Sequence, residues 1–432
     1  MWKYDGLCQR IVATIHGLVI AAECDLAFKM IWMTEERFNA RFNRDYSLPN
    51  DTPADPRLVF EDGFLSRYLF DDKDIYYPPE LTIQQFPNGA GRPGRNEITM
   101  NSHSDYLRAR HDRAFFGLAP HVMDDTFVSD CRAKCRTVAR SGIFSDEIAK
   151  LLKDGDAIDE LKSMWAVHLR GGDIVYGEVR KQFPRRCDLS LTVPLAIDIC
   201  RVAAKSDKKV IVLGATNQDI AFVLSQCPNA IGAYGIDLAA ANNASAVIRD
   251  VVVMSRCEKL FSAQSSGVAR LATYLGCPEW ITADDVYTPD AHADVLKSAL
   301  AQDALAPCHD LQKAFVYYTL FVLAWDKDGF DALDSYLEMA FKLDPENLSY
   351  LALRYLNCLS FSKFGLANRA KAAFLERAAA SGGRQGRNLT GHVGIRSKFM
   401  EEFLRHIHKI ETLPDSDARR IGGWIDRFYD KI

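Results

Sequence analysis

The chain reads as an α/β protein, a doubly wound parallel sheet followed by an all-α C-terminal region, and three features of the sequence predict it. From Met164 onward, short apolar runs alternate with amphipathic stretches of helical period, the pattern of repeated βα units. Past residue 308 the strand signal stops and only helical periodicity continues. Ahead of residue 160, one helix-strand unit is followed by long stretches rich in Pro, Asp, Asn and Gly, which mark loops around few regular elements. The domains expected from these shifts are 1–160, 161–308 and 309–432.

Composition narrows the function. At 432 residues the chain exceeds one ordinary domain of roughly 100–200 residues. Hydrophobic residues at 48% and charged residues at 25% are the balance of a globular protein, not of a disordered or fibrous one. The formal net charge of -4 supplies no field for nucleic acid, so no nucleic-acid partner is expected and an anionic ligand must meet a local cluster. Eleven cysteines, mostly in apolar surroundings, predict buried thiols in a reducing cytoplasm. Cys131 and Cys135 would share a helix face, but no second pair follows at zinc-ligand spacing, so no metal site is expected. The apolar run 11–22 is broken by His16 and Gly17, too short to span a bilayer and without the marks of a secretory leader.

In chain order, residues 6–32 predict a helix and then a strand over 26–32. Strands are expected at 164–169, 210–213 and 259–262, with a shorter one near 230–234. Helices are expected at 193–204, 218–227, 244–254 and 267–275. In the tail, Gly329 and Gly365 stand 36 residues apart in similar settings, and Leu343-Asp344-Pro345-Glu346-Asn347 resembles a tetratricopeptide-repeat junction. Residues 312–380 are therefore expected to form antiparallel helix pairs, a bundle or a surface for a protein partner or for self-association. Removing 309–432 is expected to affect acceptor use or solubility more than donor binding.

Two segments carry chemistry. Residues Met164 to Leu169 form an apolar strand that runs into Arg170-Gly171-Gly172-Asp173. Arg170 can offer a bidentate fork to phosphate oxygens, and the glycines permit either close backbone approach or positive φ. Period-two alternation puts His168 and Arg170 on the same side of the strand end. The second segment, Asp250 to Gly267, reads helix, short strand, then a helix start at Ser265-Ser266. Helix-end amides and two hydroxyls can hold an anion without a metal, although on this segment alone simple N-capping by Ser265 or Ser266 is the stronger reading. Thr216-Asn217-Gln218-Asp219 follows a predicted strand, where either a ligand contact or a helix cap would account for it.

Together these segments resemble the fucosyltransferase superfamily, which includes the α1,2-, α1,6- and protein O-fucosyltransferases. His168-Leu169-Arg170 is similar to its His-x-Arg motif, Asp250, Met254, Cys257, Ser265 and Ser266 match its second segment, and Gly6-Leu7-Cys8-Gln9-Arg10 resembles its first loop. The resemblance implies a GT-B fold of two Rossmann-like domains and inverting, metal-independent transfer from a nucleotide-sugar, GDP-fucose first among them. On this basis Arg170 binds the β-phosphate and Asp173 is the expected catalytic carboxylate. Gly6, Gln9, Arg10, His168, Gly171, Gly172, Thr216, Asn217, Asp250, Ser265 and Ser266 are the expected substrate contacts. No cofactor is implied, and no Asp-x-Asp pair stands at a predicted strand end. The acceptor would be a glycan or a lipid-linked saccharide. This suits surface polysaccharide synthesis by a cytoplasmic protein, peripheral at the inner membrane where the acceptor is lipid-linked.

The sequence departs from the pattern at Gly171, where many members carry a second Arg, leaving Arg180, Lys181, Arg185 or Arg186 to supply that contact. Glu178, His103 and Asp105 stand beside Asp173 as candidate bases, and Arg249 and Tyr234 as further ligand contacts. The rival readings are a GT-B transferase for another nucleotide-sugar and a helical-repeat scaffold with a degenerate transferase domain. A dehydrogenase is disfavoured, since no Gly-x-Gly-x-x-Gly follows a predicted strand.

Overall fold

The computed structural model describes residues 7–23, 28–30, 32, 55–69, 125–181, 190–264, 266–276 and 278–380. The helices are α1 (Leu7–Glu23), α2 (Asp62–Tyr68), α3 (Asp125–Ala139), α4 (Asp146–Asp156), α5 (Val193–Lys205), α6 (Asn217–Gln226) and α7 (Asn243–Arg256). They continue with α8 (Gly267–Leu275), α9 (Ala283–Val286), α10 (Pro289–Ala301), α11 (Asp310–Ala324), α12 (Phe330–Leu343), α13 (Ser349–Ser360) and α14 (Phe364–Ala380). The strands β1 (Trp165–Leu169), β2 (Val210–Gly214), β3 (Ala230–Gly232), β4 (Lys259–Phe261) and β5 (Glu279–Ile281) form one parallel sheet in the order β3-β2-β1-β4-β5. In register, Val210 faces Ala230 and Val212 faces Gly232.

β1 is central and buried at all five positions, as expected of a strand with both faces covered. That burial explains its near-continuous apolar run. β5 was not expected, because Glu279-Trp280-Ile281 opens on an exposed charged residue and has only one buried position, so it offers no apolar run. The strand expected at 26–32 is represented among the described residues by a single parallel bridge from Met30 to Leu69.

The chain divides into two units, each assembled from separate stretches. One comprises Met1–Ala166, Ala233–Leu260 and Ser265–Trp280. Its helices α1, α3, α7 and α8 pack on one another, with His16 Nε2 and the Tyr274 hydroxyl sharing a 2.6 Å hydrogen bond. Asn242 and Ser245 form a capping box that starts α7, and Gly155 lets α4 approach Val252 of that helix closely.

The second unit comprises Val167–Gly232, Phe261–Gln264 and Ile281–Ile432. Here α11 to α14 follow one another through short connections, each helix packed on the next. Their core of Phe315, Tyr318, Phe321, Leu333, Leu337 and Leu353 also takes in Ile174 and Val175. The helical region is thus continuous in packing with the segment after β1. Among the described residues no helix is long and apolar enough to cross a membrane, and seven cysteines are buried thiols.

Candidate functional site

The segment after β1 is not the open loop its glycines suggest. Gly172–Tyr176 winds into one π turn, with Val175 N–H donating to Gly171 O at 2.7 Å and Gly177 N–H to Gly172 O at 3.0 Å. Such single π turns recur at functional sites. Gly171 has φ -76, so positive φ is not its purpose. Close approach is: a Cβ there would lie 2.9 Å from Thr216 Oγ1, 3.1 Å from Asp219 Oδ2 and 3.3 Å from Tyr176 Cε2. A Cβ on Gly172 would lie 3.0 Å from that of Ala215. The space that a second Arg would begin to fill is therefore occupied by Thr216, Asp219 and Tyr176.

Asp219 is the centre of this cluster. It is 2% exposed, accepts from the Tyr176 hydroxyl at 2.8 Å on Oδ1 and from Gln312 Nε2 at 2.8 Å on Oδ2. Burial raises its carboxyl pKa, while the Gln312 and Tyr176 donors and nearby His309 act in the opposite direction. The Tyr176 ring meets His309 edge-on at 5.4 Å. Asp219 occupies the third position of α6, where sequence reasoning allowed a cap. The helix starts at Thr216 without a side-chain cap bond, Asn217 is exposed and Asp219 turns inward, so neither Asn217 nor Asp219 caps it.

His168 is buried, and burial, then the positive charge of Arg170, lowers its pKa to about 4. The ring is neutral at pH 7, and its Nδ1 has no partner among the described residues. Arg170 follows β1 and is half-buried. Asp173 lends its backbone to the π turn, and its side chain and that of Glu178 lie outside the described residues.

Arg180 and Lys181 are not spare cations for a ligand. Arg180 Nε donates to Asp344 Oδ2 at 3.2 Å, its terminal nitrogens reach Glu346 at 2.7 Å and the carbonyls of Tyr176 and Gly177, and Lys181 pairs with Glu346 at 3.1 Å. Asn347 Nδ2 donates to Arg180 O at 3.0 Å and Ser349 Oγ to Lys181 O at 3.1 Å. The junction that resembles a repeat linker thus clasps the segment after the π turn. Removing 309–432 would therefore take away the acidic and amide partners of Arg180 and Lys181.

In the other unit, Gln9 of α1 lies against the start of α8, where a Cβ on Gly267 would meet the Gln9 side chain. Gln9 Oε1 is buried with no partner among the described residues. Ser266 is 1% exposed and accepts from Ala269 N–H at 3.1 Å, so it caps its own helix. The Arg10 guanidinium lies 5.3 Å over the Trp32 ring. Asp250 accepts from Arg249 Nη2 at 2.7 Å, with burial raising its pKa and Arg249 opposing; Arg249 also lies 5.3 Å over exposed Tyr234. Gly6, Ser265, His103, Asp105, Arg185 and Arg186 lie outside the described residues.

Sequence reasoning missed Tyr176 and Gln312. Gln312 carried a signal, a polar side chain in helical register with Phe315, Val316 and Thr319, all buried on the core face.

No family model matches the chain, and no curated protein does. The chain is similar to crystal structures of POFUT1. The complex with GDP-fucose is 12% identical at TM-score 0.33, covering 64% of this chain and 94% of that one. The complex with GDP is 14% identical at 0.32, covering 64% and 95%, and the apo-form is 13% identical at 0.34, covering 64% and 94%. These likenesses are distant.

Proposed function

We propose that the chain is a nucleotide-sugar-dependent glycosyltransferase of the fucosyltransferase type, taking GDP-fucose and acting by inversion without a divalent ion. The observation that carries this reading is Arg170 directly after the central strand of a sheet ordered β3-β2-β1-β4-β5. The strand order reverses between β1 and β4, and open parallel sheets take ligands beyond the strand ends at that reversal.

Departure of a nucleoside diphosphate builds negative charge on the β-phosphate. A guanidinium held in place before the reaction stabilises that charge as it appears. Neutral His168 adds a hydrogen-bonding edge without a competing charge, and Gly171 and Gly172 let the backbone after Arg170 pack closely on Thr216, Asp219 and Ala215, which holds the turn beside the guanidinium. Asp173 is the carboxylate assigned to take the acceptor hydroxyl proton. Asp219 is excluded from that role because it is buried and both its oxygens accept protein hydrogen bonds.

The reading extends to a GT-B organisation, with 1–160 on the acceptor side, 161–308 holding the donor and 309–432 as a tetratricopeptide-like module. Gly6, Gln9, Arg10, Thr216, Asn217, Asp250, Ser265 and Ser266 are the further substrate contacts of this reading. The acceptor is a glycan or a lipid-linked saccharide, and the helical region offers a surface for a protein partner. Saturation-transfer NMR against GDP-, UDP-, CMP- and dTDP-sugars tests it. Selective saturation of GDP-fucose is expected. Preference for a pyrimidine sugar would move the chain to another donor, and no transfer to any of them would favour a scaffold.

A further inference from the structure

We infer that Asp219 is the positioning residue of the Arg170 turn, and that α11, through Gln312, supplies the second half of the clamp that holds it. The inference rests on the donor-binding reading for its consequence, not for its geometry. The Asp219 carboxylate joins three chain segments: Tyr176 at the end of the π turn, its own helix α6, and Gln312 near the start of α11. Burying a carboxylate is costly, so a contact needed only for stability would be better served by apolar side chains. A buried acceptor with a fixed donor on each oxygen instead defines a direction. The bare Cα of Gly171 lies against the same carboxylate, so movement of Asp219 is movement of the backbone next to Arg170.

The helical side is matched to this task. Gln312 is 2% exposed on the core face of α11, and its amide nitrogen goes to Asp219. Ile174 and Val175, between Arg170 and Tyr176, are buried in the same helical core. Loosening α11 therefore loosens the turn, and the helical region sets the donor-side geometry from a position that need not touch the sugar.

The test compares wild type, Asp219→Ala, Gln312→Ala and Asp219→Asn as full chains, by amide hydrogen exchange without ligand and by titration with GDP. In both Ala variants the Val175 and Gly177 amides should exchange about tenfold faster or more, with β2 unchanged, and GDP should bind about tenfold more weakly. Asp219→Asn keeps an oxygen for Tyr176 and can donate to a turned-over Gln312 amide, so it should restore both readouts. Unchanged exchange in the turn, a rise shared equally by β2, or a loosened turn with unaltered GDP affinity would each overturn the inference. If wild type binds no GDP, the proposed donor fails, while the exchange comparison still decides whether the clamp exists.

Discussion

Arg180 and Asp344 form a buried ion pair, Nε to Oδ2 at 3.2 Å, with side chains 10% and 3% exposed. The remaining guanidinium nitrogens reach two backbone carbonyls and Glu346, so the charge is fully partnered where it is desolvated. A buried pair of this kind adds little over an apolar contact, but removing one partner strands the other.

Arg180→Ala should accordingly destabilise the chain by about 3 kcal/mol or more, read from the denaturant midpoint. Glu346→Ala removes the exposed partner and should cost less than about 1 kcal/mol. Equal effects of the two would show that burial of the Asp344 pair contributes nothing.

At Gly171 the added methyl of Gly171→Ala meets Thr216 Oγ1 and Asp219 Oδ2 within 3.1 Å. A cost of about 1–3 kcal/mol is expected from overpacking. Thr216→Ala removes the nearest obstructing atom, so the double variant should be more stable than the sum of the two single losses predicts. Strict additivity in chemical denaturation would contradict the close approach.

Stability should fall on acidification through His168. Its folded pKa, about 4, lies below the ordinary value of 6.5, so the unfolded chain takes up a proton that the folded chain excludes. The neutral ring's contribution is complete above about pH 6.5 and is lost as pH falls toward 4. His16 and His292 are depressed by burial in the same sense, so the diagnostic quantity is the difference between wild type and His168→Gln. That difference should shrink between pH 7 and pH 4; a constant gap would place the folded pKa near its ordinary value.

Truncation before Asp310 should remove more than an appendage. It deletes Gln312, Asp344 and Asn347 and uncovers Ile174 and Val175. The shortened chain is expected to aggregate or to lose GDP binding, assayed by sedimentation and titration. A soluble truncated chain with wild-type GDP affinity would show the two parts to be independent.

The sheet was legible because β1 and β2 are near-continuous apolar runs and their helices keep a clear period, as in α5 with Leu195, Ile199 and Ala203 buried along one face. The glycines after Arg170 were legible as sites of either close approach or positive φ; that Thr216, Asp219 and Tyr176 crowd Gly171 was not. Asp219 stands at a helix position where local chemistry favours a cap, and its inward turn is set by Tyr176 and by Gln312, 93 residues away. The spare-cation reading of Arg180 failed for a similar reason, since its partners lie more than 160 residues along the chain. Local pattern identifies residues able to bind a phosphate; only tertiary contacts reveal which are already occupied.

The most direct test is GDP release from GDP-fucose by wild type, Arg170→Ala and Arg170→Lys, measured with donor titration in excess EDTA. Arg170→Ala should lower turnover by about 10²–10³ and weaken donor binding far less, because the departing β-phosphate gains its extra charge beside this guanidinium. Arg170→Lys should recover only part of the rate, since a point charge does not reproduce the planar fork. Near-normal turnover by a folded Arg170→Ala variant, or wild-type activity that disappears on chelation and returns with manganese, would contradict the account.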